Sequence, residues 1–254
     1  MRKINIKKEK NRIIKFIRNY VHNAGFKKCI IGLSGGLDSS VSTYLIVEAI
    51  GKENVIGVLM PYKTISLQSF EDGKLMTKNL RIKYYIREIS QMVDSYFDQY
   101  EKDANKLRRG NRMARERMCI LYDLSAKENA LVIGTSNKTE LYLGYVTQFG
   151  DSACAIESIG HLYKTEVWEL AKYLQIPLNI IKKKPSADLW QGQNDEEEMG
   201  IKYEVADEIL YYFLDEKLSE QEIMKKGFSF DEINHIKNLM KKSEFKRRMP
   251  LVLK

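Results

Sequence analysis

Short runs of apolar, β-branched residues alternate along this chain with longer segments in which apolar residues recur at helical spacing. The short runs are typical of buried strands, which we predict at 29–33, 55–60, 84–89 and 130–133. The longer segments predict helices at 13–22, 39–50, 68–80, 91–100, 112–127 and 165–174. The last third of the chain predicts helices alone, at 205–218, 219–225 and 230–240.

Strands that alternate with helices of this length form βαβ units, because two parallel strands need a crossover between them. We therefore predict an α/β fold, with a doubly wound, mostly parallel sheet flanked by helices and a helical C-terminal part. No Pro-, Ser- or Gly-rich linker interrupts the pattern. The expectation is a single domain over residues 1–254.

The composition indicates a soluble protein of the cytoplasm. The 254 residues include three cysteines without a CxxC spacing, which is typical of reduced thiols rather than of a secreted disulfide framework. The basic N-terminus is not followed by the apolar segment of a signal peptide. No apolar run reaches the ~20 residues that a membrane helix needs, so we expect no membrane partner.

The net charge of +8 would suit a nucleic-acid partner. However, the lysines and arginines are scattered in short clusters, and no aromatic residues alternate with them as a base-stacking surface requires. The pattern favours a solvated basic surface, or an anionic small substrate, over a nucleic-acid interface.

Glycines and serines crowd the junction between the first predicted strand and the helix after it, in the segment GLSGGLDSS at 32–40. Paired glycines let backbone N–H groups approach phosphate oxygens, and the serines add hydroxyl donors. Neither a Walker A sequence nor a GxGxxG fingerprint occurs in the chain. The segment therefore predicts a phosphate loop of another type.

Two acids extend this prediction to a cation. Asp38 would repel a polyphosphate unless it held a divalent cation; the simpler alternative is that Asp38 caps the following helix. The fourth strand leads into GTSNKTE at 134–140, which should lie beside the first loop at the carboxyl edge of the sheet. Its Glu140 would be the second carboxylate of a Mg²⁺ site.

Other polar and reactive residues have ordinary structural interpretations. The acidic run 195–198 is expected to be a solvated loop rather than a metal site, and Cys154 a packing residue. Tyr20 could be plain helix packing, and Lys246 a solvated residue of a basic tail.

The SGGxDS pattern is similar to that of the ATP pyrophosphatase superfamily, whose members cleave ATP to AMP and pyrophosphate. Further segments narrow the resemblance. In chain order the set reads SGGLDSS, ARERM, GTSNKTE, GYVTQFGD, LYKTEVWELA, KKPSADLWQGQ followed by DEEEMG, and FKRRMP. Over residues 20–250 this set resembles ammonia-dependent NAD synthetase, which implies an adenine nucleotide alpha-hydrolase-like fold.

The resemblance implies roles for individual residues. The catalytic residues would be Asp38, Glu140 and Lys164, and Asp38 and Glu140 would also bind Mg²⁺. The residues that contact ATP would be Gly32, Ser34, Gly35, Gly36, Ser39, Ser40, Thr135, Lys164 and Ser186. The residues that contact deamido-NAD would be Tyr20, Asn111, Arg117, Asp151 and Lys246. The chain departs from some relatives, which carry histidine, lysine and aspartate in place of Phe245, Gln148 and Ala155.

The resemblance also implies a reaction and its partners. In the family, the nicotinate carboxylate of deamido-NAD attacks the α-phosphate of ATP, and ammonia then displaces AMP from the mixed anhydride to give NAD. Ammonia would come from solution or from a separate donor protein, because 254 residues leave no room for the amidohydrolase domain of glutamine-dependent relatives. We expect a homodimer, in which the segment 187–199 orders over bound ATP.

Two rival functions use the same loop. A tRNA-modifying ATP pyrophosphatase would suit the basic charge but would need an RNA-binding appendage or a catalytic cysteine pair, and the sequence shows neither. A non-catalytic nucleotide sensor would have no need for the complete set of Asp38, Glu140 and Lys164.

Overall fold

A parallel sheet forms the centre of the molecule, in a computed structural model that describes residues 4–64 and 66–253. Its strands are Lys28–Gly32 (β1), Val55–Leu59 (β2), Lys83–Ile86 (β3), Ala130–Gly134 (β4) and Ile156–Glu157 (β5). They lie in the order β3-β2-β1-β4-β5, and every neighbouring pair is parallel. The predicted fold class is confirmed.

Helices flank the sheet and make up the C-terminal part. They are Ile6–Asn23 (α1), Leu37–Ile50 (α2), Leu67–Leu80 (α3), Ser90–Tyr100 (α4), Lys106–Glu128 (α5), Lys138–Leu143 (α6), Lys164–Tyr173 (α7), Leu178–Ile181 (α8), Asp195–Met199 (α9), Tyr203–Leu214 (α10), Glu220–Met224 (α11) and Phe230–Lys242 (α12). Short 3₁₀ helices span Lys52–Asn54 and Glu244–Arg247. Within the described residues, no helix is both long enough and apolar enough to cross a membrane.

Three apolar clusters hold these layers together. The first packs α1, α2 and α7 against the sheet, through buried residues such as Ile17, Leu45 and Val167. The second packs α4 and α5, through residues such as Val93 and Leu121. The third consists of apolar residues of α6, α10 and α12. Ile30 belongs to the second cluster and Ile31, the next residue of β1, to the first. Because consecutive side chains of a strand point to opposite faces, the two clusters lie on opposite faces of the sheet.

The strands that follow β1 in the chain are added first on one side of it, as β2 and β3, and then on the other, as β4 and β5. Strand β1 pairs with β2 on one side and with β4 on the other, where Ile31 lies opposite Ile133. The carboxyl ends of β1 and β4 are therefore adjacent, and α2 and α6 begin shortly after them. In open α/β sheets this switch point is the usual position of a ligand.

Two helices begin earlier than their apolar periodicity predicts. α1 begins at Ile6 rather than 13, and α5 at Lys106 rather than 112. Their first turns are largely polar, and the side chains of Asn5 and Asn105 cap them. The sequence also left β5, α6, α8 and α9 unpredicted, since elements this short do not show a clear period.

The acidic run 195–198 is not the solvated loop that its charge indicates. It forms α9, whose first turn is capped by the side chain of Asn194. Asp195 is only 4% exposed. Its carboxylate accepts hydrogen bonds from the Ala187 N–H at 3.0 Å and the Tyr203 hydroxyl at 3.2 Å. These tertiary partners replace the water that an isolated acidic run would bind.

Candidate active site

One cavity of about 620 Å³ lies at the carboxyl edge of β1 and β4. Its lining contains most of the residues that the sequence assigns to ATP, deamido-NAD and the cation. These are Gly32, Ser34, Gly36, Asp38, Ser39, Asn111, Arg117, Thr135, Glu140, Asp151, Lys164, Ser186 and Lys246. The fold thus gathers residues from distant parts of the chain around a volume suited to a small-molecule ligand.

The predicted phosphate loop, residues 32–40, depends on a glycine conformation. Gly35 has a φ of +73°, and a Cβ atom at this position would lie 1.9 Å from the Ser69 carbonyl oxygen. The next residue, Gly36, begins α2 without a side-chain cap. The hydroxyl oxygens of Ser34 and Ser39 lie 3.0 Å apart beside it. The Gly36 N–H donates to Ser34 Oγ and the Ser39 hydroxyl donates to the Gly36 carbonyl oxygen, both at 3.1 Å, so a phosphate would bind here by exchanging with these contacts.

Ser40 lies in this loop but does not line the cavity. It is fully buried, and its hydroxyl donates to the Gly36 carbonyl oxygen at 2.8 Å. Gly35 also lies outside the lining. Within this structure both residues support the turn rather than face a ligand.

Asp38 does not cap α2, so the simpler interpretation of this acid is wrong. The helix begins after Gly36, and the Asp38 carboxylate points instead to the start of α6 and α7. It accepts a hydrogen bond from the Asn137 side-chain amide at 2.9 Å and pairs with the Lys164 ammonium.

Lys164 joins the two acids that the sequence assigns to the cation. It is 3% exposed, it pairs with Asp38, and its Nζ lies 3.3 Å from Glu140 Oε1. Burial alone would lower the pKa of Lys164, but the two carboxylates outweigh this effect and raise it. Lys164 is therefore a firmly charged cation at the centre of the cavity.

The surroundings of the Glu140 carboxyl disfavour its charged form. Burial raises its pKa well above the usual range, and the neighbouring charge of Asp38 adds to the effect. One lysine thus compensates two carboxylates in a poorly solvated place. A second cation bound here would compensate the remaining negative charge of the two carboxylates. The oxygen donors of Asp38 and Glu140 therefore fit Mg²⁺.

In the part of the chain that the structure describes, Asp38 and Glu140 form an incomplete set of metal ligands. Among the described residues, no group of three or more His, Cys, Asp or Glu side chains could hold a metal ion. Mg²⁺ keeps an octahedral shell and is commonly bound by one or two carboxylates together with phosphates and water. Any Mg²⁺ at Asp38 and Glu140 would therefore be completed by a bound phosphate and water.

The cavity lining also contains a partly buried guanidinium. Arg117 donates from Nε to the Met60 carbonyl oxygen at 3.1 Å. Burial lowers the pKa of Arg117 to about 10, although Asp188 and Asp151 act in the opposite direction. Even at this value the group stays charged at neutral pH, so it is a desolvated cation that can attract an anionic ligand.

Lys246 is not a solvated tail residue, because it also lines the cavity. Its ammonium donates to the carbonyl oxygens of Gly144 at 2.7 Å and Val146 at 2.8 Å. Burial lowers its pKa, and the charge of nearby Asp151 opposes the shift. The C-terminal segment therefore places a cation beside the site.

Asp151 and Asn111 are both attached to the same short turn. Asp151 Oδ1 accepts from the Thr147 N–H at 2.8 Å, and Asn111 lies 2.9 Å from the Thr147 hydroxyl. These contacts hold a carboxyl and an amide on one turn, and the Asp151 charge acts on both Arg117 and Lys246.

Tyr20 is the one residue assigned to deamido-NAD that lies outside the cavity lining. It is 40% exposed on α1, with its ring 6.2 Å from that of Phe16. A single chain therefore does not bring this ring to the other residues of the site.

Sequence reasoning missed Lys183, which lines the phosphate end of the cavity. Its ammonium donates to Ser69 Oγ at 2.6 Å, to the buried Asp72 at 3.2 Å and to the Gly35 carbonyl oxygen at 3.4 Å. It therefore ties the phosphate loop to α3. Its sequence signals are the run 182–184, where three adjacent lysines indicate a solvated surface, and its place at the start of the segment KKPSADLWQGQ.

Comparisons with known proteins agree with this geometry. A model of the NAD synthase family matches residues 9–250. The NH3-dependent NAD+ synthetase of Fusobacterium nucleatum is 52% identical over 251 residues, which cover 99% of this chain and 97% of the relative. Among solved structures, the NH3-dependent NAD synthetase from Campylobacter jejuni superposes with a TM-score of 0.85 at 36% identity, covering 99% of this chain and 100% of that one.

A second solved structure has a related name. The NMN synthetase from Francisella tularensis superposes with a TM-score of 0.88 at 33% identity, with 99% of both chains covered. The family match spans nearly the whole length, and the relatives are of similar length and fold. This chain therefore belongs to the NAD synthase family.

Proposed function

We propose that this protein makes NAD from deamido-NAD, ammonia and ATP, with AMP and pyrophosphate as the other products. One observation carries the proposal. Lys164, charged and buried between two carboxylates beside a phosphate loop, shares a cavity with the cations Arg117 and Lys246. A site of this kind can hold the phosphates of ATP at one end and an anionic cosubstrate at the other.

The first half-reaction joins the two substrates. An oxygen of the nicotinate carboxylate attacks the α-phosphorus of ATP, and the bond between that phosphorus and the oxygen of pyrophosphate breaks. Negative charge accumulates on the phosphate oxygens as this happens, so fixed cations and N–H donors accelerate the step. In this proposal Ser34, Ser39 and the start of α2 hold the phosphates, and Lys164 stabilises the charge; all of them line the cavity.

The second half-reaction forms the amide. Ammonia attacks the carbonyl carbon of the mixed anhydride, the bond from that carbon to the AMP oxygen breaks, and the added nitrogen gives up a proton. The nucleophile is ammonia itself, so no side chain has to form a covalent bond. Cys154 fits this scheme as a packing residue, because burial raises the pKa of its thiol and keeps it protonated.

Mg²⁺ is part of this proposal, with Asp38 and Glu140 as its ligands. When bound, it would neutralise phosphate charge and orient the reacting phosphate. The support comes from the two partly buried carboxylates that share a single lysine.

We predict that Lys183→Met raises the KM for ATP about tenfold, with a smaller effect on the KM for deamido-NAD. The variant loses the ammonium that holds the phosphate loop to α3, and hydrogen bonds to charged groups contribute about 1.5–3 kcal/mol. Steady-state kinetics with each substrate varied in turn would measure the change. Lys182→Met is the matched control, because Lys182 is exposed and lies outside the cavity lining. Equal ATP KM values in the two variants would contradict a role for Lys183 in the phosphate site.

A homodimer in the cytoplasm is a further part of the proposal. An exposed Tyr20 on α1, next to an exposed Phe16, supports it, because such rings are available to a second copy of the chain. Ammonia would come from solution or from a separate donor protein. The alternative function, a tRNA-modifying ATP pyrophosphatase, is not favoured by the family match.

The resemblance to a structure named NMN synthetase favours one second candidate, the amidation of nicotinate mononucleotide. Both substrates present the same carboxylate, so the adenylation chemistry would be identical. Deamido-NAD has an adenylate half that the mononucleotide lacks. Contacts between the protein and this half can be used to stabilise the transition state.

We predict that kcat/KM for deamido-NAD exceeds that for nicotinate mononucleotide by at least about tenfold, or 1.4 kcal/mol. The test measures amide product with ATP, Mg²⁺, ammonium and each substrate in separate reactions. A kcat/KM that is equal or higher for the mononucleotide would assign the second function instead. The absence of amide product with either substrate would contradict both.

A further inference from the structure

Asn137 contacts both carboxylates that we assign to the cation. It is fully buried at the start of α6. Its Nδ2 donates to Asp38 Oδ1 at 2.9 Å, across 99 positions of sequence, while its Oδ1 accepts from the Glu140 N–H at 3.0 Å. Its own backbone N–H donates to Glu140 Oε2 at 3.2 Å. One residue therefore orients two acids on different helices.

The side-chain amide is suited to this position because its two ends differ. The helix cap requires an acceptor at Oδ1, which leaves the NH₂ group to face Asp38. Lys164 occupies the other oxygen of each acid, Asp38 Oδ2 and Glu140 Oε1. Each carboxylate is thus held by Asn137 from one side and by Lys164 from the other.

We propose that Asn137 is a positioning residue that fixes the relative orientation of Asp38 and Glu140 for cation binding. The inference rests on the proposed function, since it assumes that these acids bind Mg²⁺. Asn137 does not touch the reacting atoms in this scheme. It acts by holding both ligands in place before the cation arrives, and such outer partners typically change metal affinity or activity by about 10–100-fold.

The chain itself indicates how to separate this role from helix capping. Two other helices begin with the same capping box built from serine, in which Ser219 pairs with Glu222 and Ser229 with Glu232. Serine can therefore cap a helix that has glutamate at the third position. Its side chain is too short to reach Asp38 as well, so Asn137→Ser should keep the cap and lose the hydrogen bond to Asp38.

The first measurement is the affinity of the full-length protein for Mn²⁺ in the presence of α,β-methylene-ATP. The concentration of free Mn²⁺ is measured by electron paramagnetic resonance. Asn137→Ser should weaken Mn²⁺ binding by about 10–100-fold, with little change in the thermal unfolding midpoint. Asn105→Ser is the matched control, because Asn105 also caps a helix but lies outside the cavity lining. Wild-type Mn²⁺ affinity in Asn137→Ser would overturn the inference.

Asp38→Asn separates this inference from the proposed function on which it rests. If Asp38→Asn binds Mn²⁺ as the wild type does, the cation assignment itself is wrong. If Asp38→Asn loses Mn²⁺ while Asn137→Ser keeps it, only the role of Asn137 is wrong.

A second variant covers the case in which Asn137→Ser does not fold. Asn137→Asp keeps the volume and the capping acceptor but turns an acceptor towards Asp38. It should lower kcat by at least about tenfold and leave the KM for deamido-NAD nearly unchanged. Wild-type kcat in this variant would also overturn the inference.

Discussion

Replacing Asp38 by asparagine should abolish turnover while the protein stays folded. The substitution keeps the size of the side chain but removes its charge and one of its two acceptor oxygens. Both oxygens are in use, one by Asn137 and the other by Lys164. Loss of one fixed electrostatic group in an active site costs about 10²–10³ in rate, and loss of a cation ligand adds to this.

Pyrophosphate release would measure the effect, and the thermal unfolding midpoint would confirm the fold. Asp98→Asn is a suitable control because Asp98 is exposed on α4. If Asp38→Asn retained turnover within a few-fold of the wild type, Asp38 would have no part in the mechanism.

Replacing Lys164 by methionine should reduce both stability and activity. Lys164 is the cation that Asp38 and Glu140 share, and its side chain is only 4% exposed. Without it, two carboxylates face each other in a buried place. Removing one partner of a buried ion pair typically costs about 3–5 kcal/mol in the free energy of unfolding. The rate should fall by about 10²–10³, because Lys164 lines the cavity and is proposed to stabilise the charge that develops on the phosphates.

The loss of stability in Lys164→Met should depend on pH and on Mg²⁺. An acid whose folded pKa is raised, as that of Glu140 is, loses stability as the pH rises from its ordinary value through the raised one. The variant should therefore recover stability as the pH falls, because protonated Glu140 no longer repels Asp38. Added Mg²⁺ should stabilise it more than it stabilises the wild type.

Chemical denaturation at several pH values, with and without Mg²⁺, would measure these effects. Lys172→Met on the same helix is the control, since Lys172 is exposed. If Lys164→Met matched the control in stability at neutral pH, Lys164 would not be the shared counter-ion.

The phosphate loop and its two acids could be predicted from sequence for a clear physical reason. Strands are short and apolar, so their carboxyl ends can be located to within a residue or two, and ligand sites in α/β folds lie there. Asp38 and Glu140 each follow such an end, at β1 and β4. Their proximity in space then follows from the pairing of these two strands.

Lys183 and Asp195 could not be placed in the same way. Each lies in a run of like charge, and such a run indicates solvent when it is considered alone. In the structure Lys183 contacts α3, and Asp195 accepts a hydrogen bond from Tyr203. Sequence spacing does not reveal these contacts.

Asn137 is an intermediate case. Its spacing from Glu140 matches a capping box, which is a local sequence signal, although the short helix α6 was not predicted from its period. Its second hydrogen bond crosses to Asp38 on another helix and required the structure.

The most direct test of the central claim follows the oxygen atoms of the substrate carboxylate. Deamido-NAD labelled with ¹⁸O in both carboxylate oxygens would be converted with ATP, Mg²⁺ and ammonium, and the products analysed by mass spectrometry. If the carboxylate attacks the α-phosphorus and ammonia then breaks the carbon–oxygen bond, AMP should carry one ¹⁸O, NAD should retain the other, and pyrophosphate should carry none. Unlabelled AMP, or label in pyrophosphate, would contradict attack by the carboxylate at the α-phosphate.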